Sequence, residues 1–201
     1  MNARVEDAEM ESNPFTQHKT KLIIWEVVGL VAIIGIGALN HYMFEWLNSW
    51  KPIGWLFPIN EATWEHTKMI FWTGLIVYIL EYFFLGKHFK KYIVGKSIGL
   101  YAGILAMLSF WYTVRGAITG PDTGMWFGIG NFLFAAIIQQ GTSFLIFTFK
   151  LDMDKDKQKI LDIISLVAVG ILLIAMIIFT YIQPALPTFF DTLNGVYGFL
   201  P

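Results

Sequence analysis

Five long apolar stretches, parted by short polar segments, set the pattern of this chain. They run over Leu22–Leu39, Met69–Leu85, Tyr92–Val114, Met125–Phe149 and Ile160–Ile182. About 20 mostly apolar residues, wound as a helix, cross the roughly 30 Å of a bilayer's hydrocarbon. The pattern predicts an all-α fold: a polytopic transmembrane helix bundle of about five spans, the first two continuing as helices into the segment between them. It divides the chain into a tail over 1–20, a five-span bundle over 21–186 and a C-terminal segment over 187–201. Neither an internal repeat nor a low-complexity tract interrupts this plan.

Composition supports the same class. Of the 201 residues 56% are hydrophobic, 17% aromatic and only 14% charged, where a soluble domain carries about 25% charged residues. A net charge of −1 gives nucleic acid nothing to hold. The chain contains no cysteine, which excludes disulfides, thiolate nucleophiles and cysteine-ligated metals. The polar start carries four carboxylates in its first eleven residues. It lacks the basic opening and small-residue cleavage site of a secretory signal and is expected to be a mobile cytosolic tail.

Lysine and arginine orient the bundle, because cytoplasmic loops keep the excess of positive charge. Eleven of the fourteen fall on the side of the N-terminus and three on the other. The expected topology in the cell membrane has the N-terminus inside and the C-terminus outside. It brings three unusual segments to the outer face: "PINEATWEH" (58–66), "RGAITGPDTG" (115–124) and "FFDTLNGVYGFLP" (189–201).

The first of these concentrates scarce chemistry. Asn60, Glu61, Trp64, Glu65 and His66 lie within seven positions, with Lys68 just beyond. Asn60 is expected to cap the second helix, with Glu61 in its first turn where negative charge suits the dipole. Glu61 and Glu65 then share a face, with Lys68 one turn further, while His66 is turned about 100° from Glu65. At the end of the first span His41 and Glu45 are four apart and also share a face.

Two readings of this cluster are open. In one, Glu65 pairs with Lys68 and the tryptophans form an interfacial belt. In the other, His41, Glu45 and His66 supply ligands to a divalent metal, and Glu61 and Glu65 act as a catalytic acid and base pair. Imidazole with carboxylate suits Zn²⁺, Mn²⁺ or Fe²⁺. Neither H-E-x-x-H nor H-x-x-x-H occurs, so the chain matches no common zinc-enzyme motif.

Elsewhere Glu26, Glu81 and Lys96 lie just inside the cytoplasmic ends of their spans, where a Glu26–Lys96 or Glu81–Lys96 pair is expected. Asn131, Gln139 and Gln140 give the fourth span an inward polar stripe. "GPDTG" and "DTLNGVYG" read as turns. The apolar content of the last segment predicts a lid over the outer face, bringing Asp191 and Tyr197 towards the cluster. Arg115 and Asp122 are expected to pair there, or Arg115 to hold an anionic headgroup.

The run "HYMFEWLNSWKPIGWLFPINEATWEHTKMIFW" resembles the signature of an uncharacterised family of small bacterial membrane proteins, a domain of unknown function. The matching positions are His41, Glu45, Trp46, Pro58, Asn60, Glu61, Trp64, Glu65, His66 and Lys68. Weaker similarity continues at "YTVRGAITG" and "FFDTLNGVYG", although "TVRGAIT" departs from the Thr-Gly-Ile-Leu-Gly type of sequence expected there. The resemblance implies that the outer-face residues belong together, and it supplies no activity.

Three function classes follow. The first is a membrane enzyme acting on a lipid-linked or amphipathic substrate. The second is a transporter or ligand-binding membrane subunit, against which the lack of an internal repeat counts. The third is a non-catalytic assembly or sensor protein with a titrating histidine. The bilayer and a lipid-like or small-molecule ligand are the expected partners; the sequence sets no oligomeric state.

Overall fold

The computed structural model describes residues 14–117, 124–149 and 154–201. Five long helices carry the architecture: α1 (Pro14–Trp46), α2 (Thr63–Phe84), α3 (Tyr92–Ala117), α4 (Gly124–Thr148) and α5 (Lys155–Tyr181). All five are long and apolar enough to cross a membrane, the mark of a multi-pass membrane protein. The expected tail lies outside the described residues up to position 13; from Pro14 onward the chain is helical.

The polarity of the bundle is that of a protein dissolved in lipid. Val31, Phe83 and Ile171 are each more than 60% exposed, whereas Glu65, Lys68, Glu81 and Gln139 are fully buried. Helix α2 forms the centre: 56% of its apolar window is buried, against 17% for α5. It packs on α1, α3 and α4 and against the short 3-10 turn Pro187–Phe189.

Helices α3 and α4 make the closest pair, because glycines clear the way between them. A Cβ on Gly99 would stand 2.7 Å from the backbone oxygen of Gln139, and one on Gly95 2.7 Å from the Phe147 ring. Small residues at this spacing let helix backbones approach in a membrane, where apolar burial alone does not drive association.

At the end of the bundle that holds the α2–α3 turn, Lys96 is shared by two carboxylates. Its Nζ lies 2.7 Å from Glu26 Oε1 and 2.9 Å from Glu81 Oε2. The expected pair is thus a three-helix cluster, with Gln140 donating to the Glu26 carbonyl. The Tyr78 ring lies 4.6 Å from the same ammonium.

At the opposite end the chain is irregular. After α1, Asn48 and Ser49 adopt left-handed backbone (φ 55° and 50°) and turn the chain into the 3-10 segment Lys51–Ile53. Asn60 does not cap α2, contrary to its expected role. The helix starts at Thr63 with Ala62 in the N-cap position and no side-chain cap. Asn60 instead accepts from the Ala62 N–H at 2.9 Å and donates to the Gly198 carbonyl at 2.6 Å. A partner 138 residues away holds Asn60 outside the helix, and Glu61 stays outside with it.

After α5 the chain closes over this end. The 3-10 turn leads into a small antiparallel hairpin, β1 (Phe190–Asp191) and β2 (Val196–Tyr197), in register Phe190 to Tyr197 and Asp191 to Val196. Asp191 organises the connecting turn by accepting from the Leu193 and Asn194 N–H groups at 2.8 and 3.0 Å. Gly195 takes the left-handed backbone (φ 69°) that the turn requires.

Candidate functional site

Three side chains from three parts of the chain meet at the closed end. His41 comes from the last turns of α1, Glu61 from the loop before α2, and His66 from the first turn of α2. Their nearest ligand atoms all lie within 4.8 Å of one another. His66 Nε2 is 3.3 Å from Glu61 Oε2, and His41 Nε2 is 3.7 Å from Glu61 Oε1. The two imidazole centroids are 5.2 Å apart.

The tautomer of His66 follows from its other nitrogen. Nδ1 lies 3.0 Å from the Ala62 carbonyl, which can only accept, so Nδ1 carries the hydrogen. In a neutral ring Nε2 then presents a lone pair to a carboxylate oxygen. That contact is repulsive unless a cation, either a proton or a metal ion, stands between them. A ring N–H donated to a backbone carbonyl is also the usual way a metal-binding histidine is oriented.

Zinc–ligand bonds of about 2.0–2.2 Å at tetrahedral angles put donor atoms about 3.3–3.6 Å apart. The two histidine contacts to Glu61, at 3.3 and 3.7 Å, lie close to that range but run to different carboxylate oxygens, and the trio as a whole spans up to 4.8 Å. Two imidazoles and one carboxylate form a mixed donor set suited to Zn²⁺, Mn²⁺ or Fe²⁺. Hydrogen bonding from His66, which requires a proton on its Nε2, is the main influence holding the Glu61 carboxyl below its ordinary range, against the opposing effect of burial. The group is therefore ionised near neutral pH, as a ligand must be.

Glu65 stands apart from this trio. It is fully buried and bonded on both oxygens: Oε2 accepts from Lys68 Nζ at 2.5 Å and from the Ile59 N–H at 3.1 Å, and Oε1 accepts from Gln183 Nε2 at 3.0 Å. Lys68 also donates to the carbonyls of Gly54 and Phe57 at 2.9 and 3.3 Å. The pair fastens the 54–59 loop to α2. The two glutamates that the sequence places on one helical face thus divide, one to the histidines and one to the lysine.

The remaining candidates are distributed around this frame. Glu45 is exposed on the last turn of α1, outside the trio. Asp191 accepts from the Glu61 N–H at 3.0 Å and so positions the residue that links the two histidines. Trp64 is a core residue, its ring 5.3 Å from Phe179 and 5.1 Å from Phe189. Tyr197 lies on the hairpin, 4.9 Å from Phe190. Arg115 lies over the Trp111 ring at 4.7 Å. Asp122 falls outside the described residues.

A pocket of about 300 Å³ opens beside the trio, bounded by Glu61 and Thr63, by Trp111 and Arg115 of α3, and by Phe190 of the hairpin. Sequence reasoning passed over Gln183, which bridges Glu65 to the Gly198 N–H at 2.6 Å. A polar side chain between the end of α5 and Pro184 was the available signal. The pocket walls carried no such signal, because Trp111, Thr63 and Phe190 meet only in the folded chain.

A model of the family described as "Family of unknown function (DUF6512)" matches residues 14–199, and the chain belongs to that family. Neither a curated protein nor a solved structure matches it.

Proposed function

For a member of that family, we propose that His41, Glu61 and His66 form the metal site of an integral membrane enzyme acting on an amphipathic substrate. The observation that carries the reading is the opposition of two lone-pair donors, His66 Nε2 and Glu61 Oε2, at 3.3 Å with Nδ1 already committed to Ala62. His66 and Glu61 would hold a divalent cation between these lone pairs, with His41 as a third ligand, and a three-residue set of this kind would leave room for water or substrate. When bound, the metal would lower the pKa of a coordinated water or polarise a carbonyl or phosphoryl oxygen.

The chain's own residues have separable roles in this reading. His66 is oriented by the Ala62 carbonyl, and Glu61 is anchored through its backbone N–H by Asp191. Glu65 and Lys68 hold the loop that carries Glu61 rather than touching substrate. Glu45, one helical turn from His41, adds negative charge at the exposed rim. The distribution of lysine and arginine favours the extracytoplasmic side for this end of the bundle.

The test is the metal content of detergent-purified protein prepared without chelator. Zinc, manganese or iron near one equivalent in the wild type, lost in His66→Ala and in Glu61→Gln, is the expected result. A metal-free wild type would sink the proposal. It would leave the second reading that the same lone pairs support, in which a proton joins His66 to Glu61 and the cluster is a pH-responsive latch.

A further inference from the structure

The pocket beside the trio has a chemistry of its own. Its lining combines the polar residues Glu61 and Thr63 with the aromatic Trp111 and Phe190. Arg115 stands in the same wall. Its guanidinium lies over the Trp111 ring at 4.7 Å, which occupies one face and leaves the N–H edges available for in-plane contacts. Among the described residues no carboxylate lies within ion-pair distance of it.

Charge then sets the kind of occupant. Arg115 is cationic at any physiological pH. Glu61, the other charged residue of the lining, faces His41 and His66 at 3.7 and 3.3 Å, so among the described residues Arg115 is the lining's cation without a counter-charge. A planar donor fork on a permanent cation selects a carboxylate or a phosphate.

Depth sets the rest. Trp46, Trp50 and Trp126 at this end of the bundle are 61%, 60% and 78% exposed, the arrangement of tryptophans at a membrane–water boundary. The pocket therefore sits at headgroup level. At about 300 Å³ it is small for a ligand pocket. It suits a headgroup and the first part of a chain, not an entire lipid.

We infer that this pocket binds the head of an amphipathic anion, a phosphate or carboxylate carried on an alkyl or prenyl chain. Arg115 holds the anionic group, and Trp111 and Phe190 guide the chain towards the bilayer. The catalytic use of such a ligand rests on the metal reading above; its binding by Arg115 does not.

The experiment is calorimetric titration of the full chain in a neutral detergent with decyl phosphate, decanoate, decanol and inorganic phosphate, with metal content measured on the same samples. Saturable binding of decyl phosphate or decanoate is expected, with no binding of decanol and much weaker binding of inorganic phosphate. The better of the two anions identifies the headgroup. Arg115→Gln should weaken binding about tenfold or more, the scale of a lost charge-assisted hydrogen bond. Arg115→Lys, which keeps the charge, should retain part of it. Both variants should keep the wild-type metal content and elution volume.

Equal binding of decanol, or anion binding unchanged in Arg115→Gln, would overturn the inference. So would inorganic phosphate binding as tightly as decyl phosphate, since the chain would then contribute nothing. Anion binding in a metal-free protein would end the metal reading alone; bound metal without anion binding would end this one alone.

Discussion

His66 Nε2 faces Glu61 Oε2 across 3.3 Å while the opposite nitrogen of the same ring donates to the Ala62 carbonyl. Neither atom of the first contact brings a hydrogen when the ring is neutral, so the geometry calls for a positive charge between them. Metal and proton compete for that place, and their competition is measurable.

Metal retention should fall steeply as pH drops. Imidazole must be neutral to ligate, and histidine titrates ordinarily at about 6.5. Protein dialysed at about pH 5 should lose most of its metal, and protein kept at about pH 7.5 should retain it. Metal content after dialysis reads the outcome directly. A content independent of pH across this interval would contradict a site with two histidine ligands.

The Glu65–Lys68 pair should behave as structure. Lys68→Met leaves the Glu65 carboxylate buried without its charge partner, although the Ile59 and Gln183 donors remain. Breaking a buried pair from one side costs about 3–5 kcal/mol, so a marked loss of thermal stability in detergent is expected. The double variant Glu65→Gln/Lys68→Met should recover much of that loss. Double-mutant analysis of the unfolding midpoints checks it, and additive losses would mean the two groups do not act as a pair.

At the other end of the bundle the two carboxylates around Lys96 are not equivalent. Glu26 has Lys96 and the Ser143 hydroxyl as neighbours at 2.7 and 3.5 Å, whereas Glu81 has Lys96 at 2.9 Å and Oε1 without a hydrogen bond. Glu81→Gln keeps the better pair and should be mild. Lys96→Met strands both acids in the membrane and should cost about 3–5 kcal/mol or abolish folding. The yield of monodisperse protein and its unfolding temperature rank the variants. Lys96→Met as stable as Glu81→Gln would refute the shared-lysine account.

Docking of the hairpin should depend on acid. Burial disfavours the Asp191 charge, but the Asn194 side chain and the N–H groups of Glu61, Asn194 and Leu193 outweigh it and hold the carboxyl below its ordinary 3.8. A depressed carboxyl contributes stability that is complete above 3.8 and fades as pH falls through the lower folded value. Protection of residues 187–201 from hydrogen exchange, relative to the intrinsic rate at each pH, should therefore fall near about pH 3 compared with pH 5. Asp191→Asn should be weakly protected at both values. Equal protection of wild type and variant would show that Asp191 does not anchor the hairpin.

The sequence contained more of the Lys96 cluster than of the histidine cluster. A charge inside an apolar span must find a partner, so Glu26, Glu81 and Lys96 were bound to associate whichever carboxylate came nearer. That one lysine serves both was a matter of three helices converging. In the histidine cluster the residue types were legible but their division was not. Helical spacing joined Glu61 to Glu65, and that inference fails because the helix starts after Glu61 rather than before it.

By itself the sequence determined five apolar helices, the chemistry available between them and where along the chain it concentrates. These depend on the length of apolar runs and on residue identity, which are local. The tertiary structure alone decided which groups meet. Asn60 is held by a carbonyl 138 residues away, and Glu65 receives a hydrogen bond from 118 residues away. These contacts separate Glu61 from Glu65 and bring it to His41 and His66. Such pairings are selected by how helices pack and how the last segment closes over them, and no local periodicity encodes that choice.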